Sequence, residues 1–230
     1  LDTDTTWSGA RDTATGTDAS LSDATIYITA ELRASGKYEV NRGFYNFDTS
    51  SLGSLQQVDS ATFSLYYAGD STATDPHGLI QTSPASNTTL AIGDYDGLTL
   101  NSPPEGASRV SSFSGMTYYD WSMNSTGRGW INKTGVTNLG VRMARDIDNT
   151  TPSSRSYRAW FTADHTSNDP KLVIEHSTIP TDQQGLSIYY TYDDVGNITQ
   201  IVDKSNPNNI ATTTYGYDDL HRLIAATSSR

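Results

Sequence analysis

The side chains able to carry chemistry are few and scattered. Four histidines occur, His77, His165, His176 and His221, without the short His-x-x-x-His spacing that brings two imidazoles onto one metal. They read as solvated loop or strand residues. No Gly-x-Ser-x-Gly elbow is present to expose a serine nucleophile. The chain has no Cys, which removes thiolate nucleophiles, disulfides and Cys-based zinc sites. Glycoside hydrolysis needs two carboxylates facing each other across a cleft. Glu occurs only at Glu31, Glu39, Glu105 and Glu175, and the Asp residues mostly sit in turn contexts. The expectation is a protein that is not an enzyme.

Binding chemistry has better candidates. Gly93-Asp94-Tyr95-Asp96-Gly97 offers two carboxylates in a Gly-flanked loop, hard oxygen donors suited to calcium but far short of an EF-hand pattern. Asp146-Ile147-Asp148-Asn149 is a weaker version of the same arrangement. No other cofactor is implied. Four Trp could stack on sugar rings, because the CH face of a pyranose packs on an aromatic face like any apolar group. Trp160 alternates with Tyr157, Ala159 and Phe161 and so is expected to lie outside the main core, as a stacking platform; Trp121 and Trp130 read as core plugs. Arg142, Arg145, Arg155 and Arg158 fall within 17 residues and could meet the charge of an anionic polysaccharide. Asn-x-Ser/Thr sequons at Asn87, Asn124, Asn132, Asn149 and Asn197 mark glycosylation candidates, although a chain in which 60 of 230 residues are Ser or Thr generates several by chance.

The elements that must position these residues are strands. In Ala61-Thr62-Phe63-Ser64-Leu65-Tyr66-Tyr67, period-two alternation puts Ala61, Phe63, Leu65 and Tyr67 on one buried face. Similar short strands are expected at 25–29, 43–47, 139–143, 157–162 and 171–175, separated by turn clusters such as Asn149-Thr150-Thr151-Pro152. Many short strands with this punctuation predict an all-β fold, an antiparallel β-sandwich of jelly-roll-like type. One short helical crossover is expected within 119–132, limited to a turn or two by Gly127 and Gly129.

Composition changes after His176. Residues 178–185 carry Pro and Gly and almost no apolar side chain, which predicts a linker between a sandwich at 1–177 and a C-terminal tail at 186–230. The tail repeats itself: Tyr190-Thr191-Tyr192-Asp193-Asp194-Val195-Gly196-Asn197 returns 25 residues later as Tyr215-Gly216-Tyr217-Asp218-Asp219-Leu220-His221-Arg222. The second copy lacks the Gly-Asn of the first, so its turn is expected to differ. Segments 186–192 and 210–217 are rich in β-branched and aromatic residues and hold no Lys, Arg or Pro. Ile188, Tyr190, Tyr192, Tyr215 and Tyr217 are therefore expected on exposed strand edges able to recruit another strand.

Two resemblances follow from these motifs. Arg42-Gly43-Phe44-Tyr45-Asn46-Phe47-Asp48-Thr49-Ser50-Ser51-Leu52, then 58–66, the Asp120-Trp121 to Gly129-Trp130-Ile131-Asn132 segment, 138–141 and Asn168-Asp169-Pro170-Lys171-Leu172-Val173-Ile174 stand in the order of the DNRLRE domains, whose carbohydrate-binding branch is carbohydrate-binding module family 96. That resemblance covers residues 1–177 and implies a sandwich able to bind polysaccharide. Within its first motif Arg42 and Asp48 are expected to pair across the turn. The Tyr-x-Tyr-Asp units resemble the YD repeats of Rhs and teneurin proteins, which implies β-hairpin arrays of surface and toxin-delivery proteins.

Net charge is -11, which repels nucleic acid and anionic lipid surfaces, and no apolar run is long enough for a membrane helix. The lack of an initiator Met and of a signal peptide reads as a fragment or a matured product. Two functions are expected in outline. One is a non-catalytic extracellular or cell-surface structural module that builds a filament with copies of itself through strand addition; the other is a carbohydrate-binding module of a larger Rhs-like protein.

Overall fold

The computed structural model describes residues 1–72, 75–179, 187–205 and 210–229. The fold is all-β, built from antiparallel sheets with no closed barrel. Two compact units emerge: Leu1–Ser54 with Val58–His176, and Leu55–Gln57 with Ser177–Arg230.

In the first unit the strands are β1 (Asp2–Asp4), β2 (Thr25–Leu32), β3 (Tyr38–Asn41), β4 (Gly43–Asp48), β5 (Gln56–Ser71), β6 (His77–Gln81), β7 (Tyr118–Ser122), β8 (Val136–Met143), β9 (Tyr157–Phe161) and β10 (Lys171–Thr178), the ends of β5 and β10 running into the second unit. One sheet has the order β1-β3-β2-β9-β5-β10 with β7 also paired to β5; the other is β4-β8-β6. Phe63 on β5 joins them, its ring 5.2 Å from Tyr45 and 6.0 Å from Phe47 on β4, and 5.7 Å from Trp121 on β7. The alternation read in 61–67 holds: Ala61, Phe63, Leu65 and Tyr67 are all buried.

The helices are short: α1 (Trp7–Asp12), capped by Thr6, whose side chain accepts from the Gly9 amide, α2 (Ser125–Gly129) and α3 (Ala144–Ile147). The helix expected within 119–132 occupies only its middle. Residues 118–122 extend instead as β7, because Trp121 fills the core at full burial in register with Phe63. Gly127 is required in α2 by close approach, since a Cβ there would stand 2.3 Å from the Gly106 carbonyl oxygen.

In the second unit β11 (Ile188–Tyr192), β12 (Ile198–Asp203), β13 (Ala211–Tyr217) and β14 (Leu223–Ser229) form an antiparallel meander in chain order. None of its described side chains is buried. Thr178, the first residue of the expected linker, is the last of β10, and the expected linker beyond Ile179 lies outside the described residues. Ile179 donates its amide to the Leu55 carbonyl at 2.9 Å.

The two repeat turns are the same. Asp193 accepts from the Val195 and Asn197 amides at 3.1 and 2.8 Å and from the Asn197 side chain at 2.8 Å. Asp218 accepts from the Leu220 and Arg222 amides at 3.0 and 2.9 Å and from Arg222 Nε at 2.7 Å. Each strand entering a turn carries a bulge at the same repeat position, Thr191/Tyr192 and Gly216/Tyr217. The second turn thus does not differ, contrary to the sequence expectation. His221 adopts φ 60 where Gly196 has φ 92, a left-handed conformation that the Asp218 cap imposes on a residue with a Cβ.

Candidate functional site

Of the four arginines expected to face a polysaccharide, Arg142 and Arg158 are buried and Arg145 is paired, whereas Arg155 stays 54% exposed over the Tyr157 ring. Asp146 is buried at 1% exposure, and Arg42 grips both its oxygens at 2.9 Å while Arg142 does so at 2.7 Å. Arg11 donates to the Asp146 and Leu100 carbonyls at 2.8 and 2.7 Å. Burial alone would raise the Asp146 pKa, but Arg42 and Arg142 outweigh it and hold the carboxyl well below the usual range. The pairing expected between Arg42 and Asp48 is replaced by this one, because Arg42 points inward from a strand whose turn Asp48 caps by accepting from the Ser50 amide at 3.0 Å. Arg145 pairs with Asp75 at 3.0 Å. Arg158 is buried, its guanidinium 3.5 Å from the Phe113 ring centroid.

Trp160 is fully buried and cannot serve as a sugar platform. Strand β9 lies inside its sheet between β2 and β5 with Ala159 buried on one face, and the face carrying Trp160 and Arg158 is covered by His77 of β6 and by Phe113. Trp160 is enclosed by Tyr67, His77, Phe113, Tyr119 and Trp121, with ring centroids between 5.6 and 6.1 Å away. His77, expected at the surface, is fully buried there, and neither ring nitrogen meets a hydrogen-bond partner. Burial, then the charge of Arg158, push its pKa down to about 3.

The Asp94 carboxylate closes its own loop. Its two oxygens accept from the Ala85 and Ala91 amides at 2.7 and 2.8 Å, so the carboxylate is engaged in holding the loop. Among the described residues no group of three or more His, Asp or Glu is arranged to hold a metal. Of the sequons, Asn124 donates its amide nitrogen to the Glu105 carbonyl at 3.0 Å and Asn197 donates to Asp193 at 2.8 Å, so a glycan on either would compete with a turn or helix contact. Asn87, Asn132 and Asn149 are exposed, and the Asn132 and Asn149 side chains use their oxygens, accepting from the Thr134 amide and from Trp7 Nε1.

A groove of about 640 Å³ in the first unit is lined, apart from the sequon residue Asn87, by residues the sequence did not single out as a site. Its apolar and aromatic lining includes Leu21, Tyr27 and Phe44, and its acidic residues are Asp18, Asp23 and Asp164. Arg42 reaches it but is consumed by Asp146. Residues 44–47 of β4 run along it. Strand β4 has β8 on one side and, among the described residues, no strand on the other. The available signal was the aromatic on both faces of β4, Phe44 opposite Tyr45 and Phe47.

In the second unit Tyr190 and Tyr192 stand half exposed on edge strand β11, their rings stacked 6.5 Å apart, with Ile188 on the same face. Tyr215 and Tyr217 are not on an edge, since β13 is paired on both sides, and the Tyr217 hydroxyl donates to the Ile198 carbonyl at 3.0 Å. Among the described residues the free edges belong to β11 and β14, and all seven residues of β14 are exposed.

Residues 192–230 match the family model of the RHS Repeat. The C-terminal segment is thus an Rhs-type repeat, a class that occurs in surface and secreted proteins. A search of curated proteins found no match. No helix among the described residues is long and apolar enough to cross a membrane.

Proposed function

We propose that this chain is a non-catalytic, extracellular module of an Rhs-like surface protein, and that it assembles with further copies of itself by adding strands to the edges of its repeat sheet. One observation carries the reading: among the described residues a four-stranded sheet without a buried side chain ends in two strands, β11 and β14, each paired on one side only and neither holding Lys, Arg or Pro. Unpaired backbone donors and acceptors on a smooth edge favour another strand, and head-to-tail addition propagates unless rotation closes a ring. The charge of -11 fits a module that keeps away from nucleic acid and anionic lipid. Light scattering across a concentration series tests it. The full chain should associate, and Tyr190→Lys with Ala226→Lys, a charge on each edge, should return it to monomer. A chain that stays monomeric at high concentration and forms no filaments under the electron microscope would end this reading.

A second reading keeps a carbohydrate ligand on the sandwich of the DNRLRE type. It loses Trp160, Arg142 and Arg158 to the core, and the observation that favours it is the groove, where Tyr27 and Phe44 stand near the amides of Asn41 and Asn46. A glycan array on wild type and Tyr27→Ala would show specific retention lost on substitution.

A further inference from the structure

We infer that the acceptor for strand addition is the open edge of β4 in the groove of one copy, and that its occupant is β14 of a second copy. The inference rests on the assembly reading above and names the surface it uses.

Three observations converge on this pairing. The first is backbone supply and demand. Among the described residues strand β4 ends the three-stranded sheet with one side unpaired by any strand, and residues 44–47 line the groove, whose far wall includes the 87–92 segment tied to β4 by the Asn46 side chain at 3.0 Å from the Asn87 carbonyl. A strand added there would satisfy its amides and carbonyls and continue the sheet. The second is length: β4 has six residues and β14 seven, so one strand spans the other without overhang into a turn.

The third is charge. Asp18, Asp23 and Asp164 are exposed at the groove; among the described residues lining it, the Arg42 guanidinium is held by Asp146 and the Tyr95 and Arg11 carbonyls, and the Leu1 amino group stands beside Asp18, which leaves Asp23 and Asp164 for an incoming cation. In a chain of net charge -11, residues 221–230 contain no Asp or Glu, and Arg222 directly precedes β14. Arg222 is exposed and bound only to Asp218 of its own turn, a surface pair that a second carboxylate can share. Apolar Leu223 and Ile224, more than half exposed, offer the groove wall of Leu21, Tyr27 and Phe44 something to bury.

The absence of Cys in the chain makes the test clean. Two single variants, Asn46→Cys on β4 and Ala226→Cys on β14, are mixed and oxidised, and non-reducing gels are read alongside light scattering. The expected result is a mixed disulfide dimer well in excess of either homodimer. Its yield should fall at least tenfold when Asp23→Lys and Asp164→Lys are added to the Asn46→Cys chain, with circular dichroism unchanged. A wild-type chain that is monomeric at every concentration overturns this inference together with the assembly reading. Association that persists with no mixed disulfide, or with Ala226→Cys homodimers alone, leaves assembly standing and overturns β4 as acceptor. Retention of a soluble glucose hexasaccharide that blocks the groove without affecting association does the same.

Discussion

Acidification should unfold the sandwich through His77. The imidazole is fully buried against Phe113 and Trp160 with both nitrogens unpartnered, so the folded state holds it neutral, and its pKa falls to about 3. The unfolded chain titrates it near its ordinary 6.5. Above pH 6.5 both states are neutral and the group contributes nothing to the pH dependence. Below 6.5 the unfolded state takes up a proton that the folded state refuses, so stability falls with pH until the folded group titrates near 3. Between pH 7.5 and 4.5 that linkage amounts to about 2.7 kcal/mol, a large part of a domain stability of about 5–15 kcal/mol. Urea unfolding followed by Trp fluorescence at several pH values measures it. His77→Leu removes the titration at similar volume and leaves no partner orphaned, so it should cost little at pH 7.5 and flatten the profile below 6.5. If the wild-type and His77→Leu curves run parallel from pH 7.5 to 4.5, the group is protonated without penalty and the burial argument fails.

Three further outcomes are expected. Asp146→Asn removes the only carboxylate buried between Arg42 and Arg142 and should destabilise by about 3–5 kcal/mol, visible as loss of the cooperative melt in circular dichroism. His221→Gly relieves a left-handed backbone at φ 60 and should slow amide exchange in the second repeat turn, a gain of up to about 1 kcal/mol, whereas Gly196→Ala, at φ 92, should do the reverse in the first. Phe63→Asp should abolish folding; Ser64→Asp, although on the opposite face, should also cost stability, because the Ser64 hydroxyl donates to Asp120 at 2.6 Å and a carboxylate there would repel it. Chemical denaturation of the two variants would distinguish loss of the fold from a lowered midpoint.

Local pattern determined the strands. Alternation fixed the inward set Ala61, Phe63, Leu65 and Tyr67, turn residues bounded the β-segments, and the 25-residue return of Tyr-x-Tyr-Asp announced a repeat whose Asp caps each hairpin. These are short-range properties, written in side-chain alternation and in hydrogen bonds spanning a few residues. What each strand faces was settled only in three dimensions. Alternation separates Trp160 from Ala159 but does not say which face is covered; both are buried, and Trp160 is enclosed because His77, Phe113 and Trp121 from distant stretches of chain pack on its face. The same holds for Tyr215 and Tyr217, whose composition suits an edge but whose strand is enclosed by β12 and β14. Asp146 lies 104 residues from Arg42, and no spacing rule connects them. The groove gathers Asp18, Asp23, Phe44 and Asp164 from distant stretches of chain, because sheet order, which is set by long-range backbone pairing, decides which strand is left with an open edge.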